Sequence, residues 1–206
     1  MLENKLAIFI SFLFHPLWMP FYMVLLLFNI SLNGAIVTSI EMWTYISIVV
    51  IINTLLLPVS LIWLMVRLGI IESMRMSHPK DRLYPFLVSS IFYFTTWYIF
   101  HQLGLFAFLD VVFIIAIILV FLAFVMTIFW KISVHSLSMG AISAAVLVLT
   151  AGGFLTAPWF VYLVFIFSGM TGFARLKLKA HSPAQIYVGY LLGFIVVTTI
   201  LNFISY

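Results

Sequence analysis

The sequence predicts an all-α integral membrane helical bundle of six to seven transmembrane helices. Two observations carry that prediction. Of 206 residues, 66% are apolar and only 7% are charged. No soluble domain of this length could cover so much apolar surface, so lipid must be the solvent. The apolar residues also fall into seven runs of about the length that crosses a hydrocarbon core, separated by short polar or turn-forming stretches. Residues 1–206 read as one transmembrane domain, with no repeat, linker or low-complexity segment. There is no cysteine, which excludes disulfides, thiolate metal sites and cysteine nucleophiles.

Residues 6–30 make the first span. One lysine precedes it and no small-residue cleavage site follows, so it reads as a retained helix and not a signal peptide. His15, Pro16 and Pro20 lie inside it. The prolines should kink the helix and free backbone carbonyls. His15 is expected to donate to such a carbonyl or to a neighbouring helix, rather than to line a substrate path. Residues 31–34 make a turn, and residues 43–67 the second span, with Pro58 as a second kink.

Residues 69–85, GIIESMRMSHPKDRLYP, form the first polar stretch, broken by Pro79 and Pro85. A third span follows over 86–101. His101 and Gln102 end it at the opposite surface in a solvated or capping role, and Gly104 marks the turn. The fourth span covers 106–130, with Asp110 near its start at the wet interface. Residues 131–140, KISVHSLSMG, are the second polar stretch. A fifth helix follows at once, carrying Gly140, Ala141, Ala144 and Ala145, small residues that let helices approach closely. Gly152, Gly153 and Pro158 turn the chain into a sixth span over 159–173. The third polar stretch, ARLKLKAHSPAQ over 174–185, precedes a seventh span over 186–204.

Seven spans place the three polar stretches and the N-terminus on one side. All nine Lys and Arg residues fall there: Lys5, Arg67, Arg75, Lys80, Arg82, Lys131, Arg175, Lys177 and Lys179. Basic residues confined to helix ends fit membrane topology and anionic substrates better than nucleic acid. Charge at a membrane boundary is costly and marks a candidate functional site. Arg75 and Arg82 are seven residues apart, a spacing at which they can share a helix face. With Arg175 they offer guanidiniums that fork onto phosphate oxygens. Ser133 stands where the fifth helix should begin and suits an N-cap, and the free N–H groups after it favour an anion. His135 and His181 add groups able to attack phosphorus and to protonate a leaving group. Singly, each residue has an ordinary explanation as a solvated basic loop, a cap or an interfacial histidine. It is the set that points to a shared site.

These residues and spacings resemble the type 2 phosphatidic acid phosphatase (PAP2) superfamily, as a divergent bacterial-type member. The family's signatures are Lys-x6-Arg-Pro, Pro-Ser-Gly-His and Ser-Arg-x5-His-x3-Asp. Here the first aligns as Arg75, six residues, then Arg82-Leu83. The second aligns as Ile132-Ser133-Val134-His135 and the third as Ala174-Arg175, five residues, His181, three residues, Gln185. The likeness covers residues 69–193 and keeps the motif order. It implies a membrane lipid phosphatase acting on a phosphate monoester or diphosphate, with a phosphorylated lipid as substrate and neither metal nor cofactor. His181 would attack phosphorus and form phosphohistidine, and His135 would protonate the leaving oxygen. Arg75, Arg82, Ser133 and Arg175 would hold the phosphate. Gln185 stands where the family has the aspartate that orients the nucleophile, and Ala174 where it has a phosphate-binding serine. Gln185 therefore separates the enzyme from an alternative, a catalytically weak relative that binds a phosphorylated lipid or a partner protein.

The expected location is the bacterial inner membrane. Setting aside Arg75, Arg82 and Arg175 as placed for chemistry, six basic residues remain on the motif side and none on the other. The positive-inside rule then places the motifs and N-terminus in the cytoplasm and Tyr206 outside. A reporter active only in the cytoplasm, fused at Tyr206, should be silent; an active fusion would reverse the orientation.

Overall fold

The structure is a computed structural model that describes residues 2–32, 39–73, 81, 83–105 and 107–204. Arg75, Lys80, Pro79 and Arg82, with residues 33 and 34 of the expected turn and Tyr206, lie outside the described residues. Among those described there is no strand. Seven helical stretches are long and apolar enough to cross a membrane: Leu2–Phe28, Ile40–Arg67, Leu83–Gln102, Ala107–Phe129, Val134–Ala151, Trp159–Lys177 and Pro183–Ile204. The chain is thus a helical membrane protein. Its outer surface carries exposed Phe, Leu and Ile along nearly every helix, as lipid contact requires.

The chain divides into two compact units. One holds residues 1–19, 26–37 and 132–206, and the other holds 20–25 and 38–131.

In the first unit the N-terminal span is not one helix. α1 (Leu2–Leu13) stops, a 3-10 turn covers Pro16–Trp18, and α2 (Met19–Leu32) begins. Proline disfavours helical backbone in the residue before it, and His15 is extended, with φ −69° and ψ 138°. The His15 N–H accordingly turns to the Phe12 carbonyl (3.2 Å) instead of continuing the ladder to Ser11.

The remaining helices of this unit are α7 (Val134–Ala151), α8 (Trp159–Lys177) and α9 (Pro183–Ile204). α8 runs one turn beyond the sixth span expected from sequence, so Arg175 and Lys177 are helical, and α9 starts at Pro183 rather than Ile186. α7 is the central helix, buried on almost every side from Ser136 to Leu149. α9 lies parallel to it at backbone contact. A Cβ on Gly193 would overlap the Leu137 carbonyl oxygen, and one on Gly140 would overlap that of Tyr190. One on Gly189 would come within 2.8 Å of the Ser133 oxygen. Gly189 and Gly193 form the G-x-x-x-G spacing that lets membrane helices touch backbone to backbone. α8 crosses α7 with Ser143 and Ser168 Oγ 3.1 Å apart. α1 runs antiparallel to α8: Glu3 pairs with Lys177, Ala7 and Ile10 pack on Ala174, and the Phe14 and Phe167 rings are 5.0 Å apart.

In the second unit α3 (Ile40–Ile51) and α4 (Leu57–Arg67) are joined by a π segment, Ile52–Leu56, ahead of Pro58. Proline cannot donate and crowds the carbonyl four residues back, so widening the turn relieves the clash. The expected kink takes this form. α5 (Leu83–Gln102) accepts Pro85 in its first turn, where no intrahelical N–H is needed, so Pro85 does not break the chain there as expected. α6 (Ala107–Phe129) carries Asp110 in its first turn, and its Oδ2 lies 3.2 Å from Nδ1 of His101. His101 thus has a defined partner across the turn.

A single methyl group tests the α7–α9 contact. Gly193→Ala should lower stability by about 1–3 kcal/mol, as overpacking does. Gly169→Ala, whose Cβ meets nothing within 4 Å, should leave stability unchanged or raise it by up to about 1 kcal/mol. Thermal unfolding in detergent reads both; equal losses would contradict the close approach.

Candidate functional site

The site is built where α7 and α9 begin and α8 ends. Ser133 is the N-cap of α7, as its sequence position suggests: its Oγ accepts from the N–H and the hydroxyl of Ser136 (3.4 and 3.0 Å). It is fully buried. Its oxygen is therefore engaged as an acceptor within the first turn. The Ser133 N–H donates to the Gln185 carbonyl (3.3 Å), which fastens the start of α7 to the start of α9.

Ser182 and Gln185 form a capping box at α9. The Gln185 N–H donates to Ser182 Oγ (3.4 Å), and Gln185 Oε1 accepts from the Ser182 N–H (3.1 Å). This reciprocal pairing satisfies two N–H groups at the helix start. Pro183 occupies the first helical position, where its missing N–H is harmless and its fixed φ favourable. Gln185 Oε1 also lies 3.1 Å from His181 Nδ1. An amide oxygen only accepts, so Nδ1 of His181 carries a proton, and in the neutral ring Nε2 keeps its lone pair. The expected His181–Gln185 contact is thus present in the geometry, and Gln185 has a structural duty besides it.

His135, in the first turn of α7, reaches across the unit to the N-terminal span. Its Nε2 lies 3.1 Å from the Ser11 carbonyl oxygen. Its ring meets that of His15 edge to face, with centroids 5.1 Å apart. Arg175, in the last turn of α8, lies within electrostatic range of both His15 and His135, and His181 lies within range of His135. The structure therefore gathers His135, His181, Gln185 and Arg175, with Ser133 beneath them as a cap. Ala174 is fully buried against Ala7 and Ile10, so its position serves packing. Arg75 and Arg82 lie outside the described residues. Among the described residues no three His, Asp or Glu side chains are placed to hold a metal ion.

His15 and Ser11 belong to this cluster, although the sequence assigned them no chemistry. The available signal was Pro16, which marks where the helix must release a carbonyl.

The turn between Arg175 and His181 has its own peculiarity. α8 ends in a Schellman motif: the Ala180 N–H donates to the Arg175 carbonyl (3.1 Å) and the Lys179 N–H to that of Leu176 (2.9 Å). Its left-handed position is Lys179, with φ 52°. α4, α5 and α7 close with glycine there, at Gly69, Gly104 and Gly153. A side chain in this conformation costs roughly 1–2 kcal/mol over glycine, so Lys179 holds the turn against its own preference.

No protein-family model matches the chain, and no curated protein or solved structure does.

Proposed function

We propose that this protein is a PAP2-like membrane phosphatase that removes phosphate from a phosphorylated lipid through phosphohistidine. The observation that carries the reading is the His181–Gln185 contact at 3.1 Å, made beside His135 and Arg175 at the ends of three packed helices. His181 Nε2 attacks phosphorus, the P–N bond forms, and the bond to the lipid oxygen breaks. His135 gives that oxygen a proton. Water then splits the P–N bond, returning phosphate and restoring His135 with the proton it had given up. Arg175 offsets the charge on the phosphoryl oxygens. The roles of Arg75 and Arg82 rest on motif spacing alone. The site faces the cytoplasm of the inner membrane on the charge argument.

Two observations favour a second reading, binding with little turnover. Gln185 brings no negative charge, and its Oε1 is shared with the Ser182 N–H. An amide stabilises a developing imidazolium less than a carboxylate does.

The test uses purified protein in detergent. Phosphate release is screened over phosphatidate, phosphatidylglycerol phosphate, a polyprenyl diphosphate and sphingoid phosphates, with vanadate binding measured beside it. Arg175→Ala should weaken vanadate at least tenfold, the worth of a charge-assisted hydrogen bond, and His181→Ala should abolish release. Vanadate bound without release from any substrate would select the binding protein. Vanadate binding unchanged in Arg175→Ala would remove the phosphate site.

A further inference from the structure

The N-terminal span has no part in the motifs, yet it supplies three groups to the cluster. The first is the Ser11 carbonyl. In an unbroken helix it would accept the N–H of residue 15. Pro16 holds His15 extended, the His15 N–H goes to Phe12, and the Ser11 oxygen is released to His135 Nε2. A carbonyl only accepts, so it fixes the His135 proton on Nε2 and leaves Nδ1 as the atom that takes and gives protons.

The second group is His15. Its Nδ1 accepts from the Leu17 N–H (3.3 Å), capping the 3-10 turn. A backbone N–H only donates, so His15 is the neutral tautomer with its proton on Nε2. That N–H belongs to a ring packed against His135 and within electrostatic range of Arg175. The third group is Ser11 Oγ, which is buried without a hydrogen-bond partner among the described residues. Thr171 Oγ1 shares that condition. It lies four residues before Arg175, on the same face of α8. Buried hydroxyls are nearly always paired, so each of these two has capacity left for a polar partner.

We infer that the break in the N-terminal helix is a working part of the site. The Ser11 carbonyl sets the proton of His135, and the His15 Nε2–H contacts the same anion as Arg175. This inference rests on the phosphatase reading for the identity of the anion, a phosphoryl group. His135 is then the acid and base of the reaction through Nδ1, with Nε2–H anchored throughout. Ser11 is a positioning residue, acting through its backbone. His15 is a binding residue.

The experiment uses the full-length protein, labelled with 15N-histidine, in detergent at a pH where imidazoles are neutral. Ring-nitrogen shifts of His135, assigned by their loss in His135→Gln, should show protonation at Nε2. Pro16→Ala restores the helical partner of the Ser11 carbonyl and should convert His135 to a mixture of tautomers. His15→Asn keeps an acceptor to cap the Leu17 N–H but removes the ring N–H. It should weaken vanadate about tenfold or more while leaving the His135 tautomer as in wild type. Protonation of His135 at Nδ1 in wild type, or a tautomer unmoved by Pro16→Ala, would overturn the role of the break. Unchanged vanadate affinity in His15→Asn would overturn the role of His15. If wild type binds no vanadate while Pro16→Ala still shifts the tautomer, the positioning of His135 stands. In that case the phosphatase reading falls, and the anion contact of His15 falls with it.

Discussion

Everything at the site depends on how closely α7 and α9 approach. Their backbones touch because Gly140, Gly189 and Gly193 have no side chain at the crossing. In lipid there is no hydrophobic drive to press helices together, so van der Waals contact of this kind must do it. The parallel register sets the first turn of α7 beside that of α9, and the Ser133 N–H fastens them through the Gln185 carbonyl. His135 is carried by the first of those turns, and His181 stands just before the second. A methyl group wedged at Gly193 would therefore act on the distance between two imidazoles without touching either.

The polar atoms follow from a second constraint: in a membrane every backbone group needs a partner. The capping box of Ser182 and Gln185 serves that need, and orienting His181 is a consequence of the same side chain. Pro16 works in the opposite sense. It takes a carbonyl out of the helix, and His135 satisfies it. Pro58 disturbs its helix too, but there the chain absorbs the change locally in a π turn. One proline break is thus absorbed in helix geometry, and the other turns a carbonyl toward a side chain of the candidate site.

Much of this was legible in the sequence because periodicity and capping are local. The seven spans, Ser133 as the cap of α7, the small residues on α7 and the pairing of His181 with Gln185 all depend on neighbours within a turn or two. The end of α8 was not legible. Arg175 and Lys177 look like loop residues in an apolar chain, but α1 brings Glu3 to Lys177 and the helix continues. Gly189 and Gly193 carry the spacing of a packing motif, but nothing local names α7 as the partner. His15 and His135 are separated by most of the chain, and only packing reveals that they meet. For Ser133 the sequence offered both a cap and a phosphate ligand, and its complete burial favours the cap.

The account turns on whether His181 is a nucleophile held by a neutral amide. Single-turnover labelling with a reactive phosphate ester tests it most directly, comparing wild type with Gln185→Asp and His181→Ala. The account predicts slow formation of an acid-labile phosphohistidine in wild type, faster formation in Gln185→Asp because a carboxylate better stabilises the imidazolium, and none in His181→Ala. Labelling that persists undiminished in His181→Ala would contradict it.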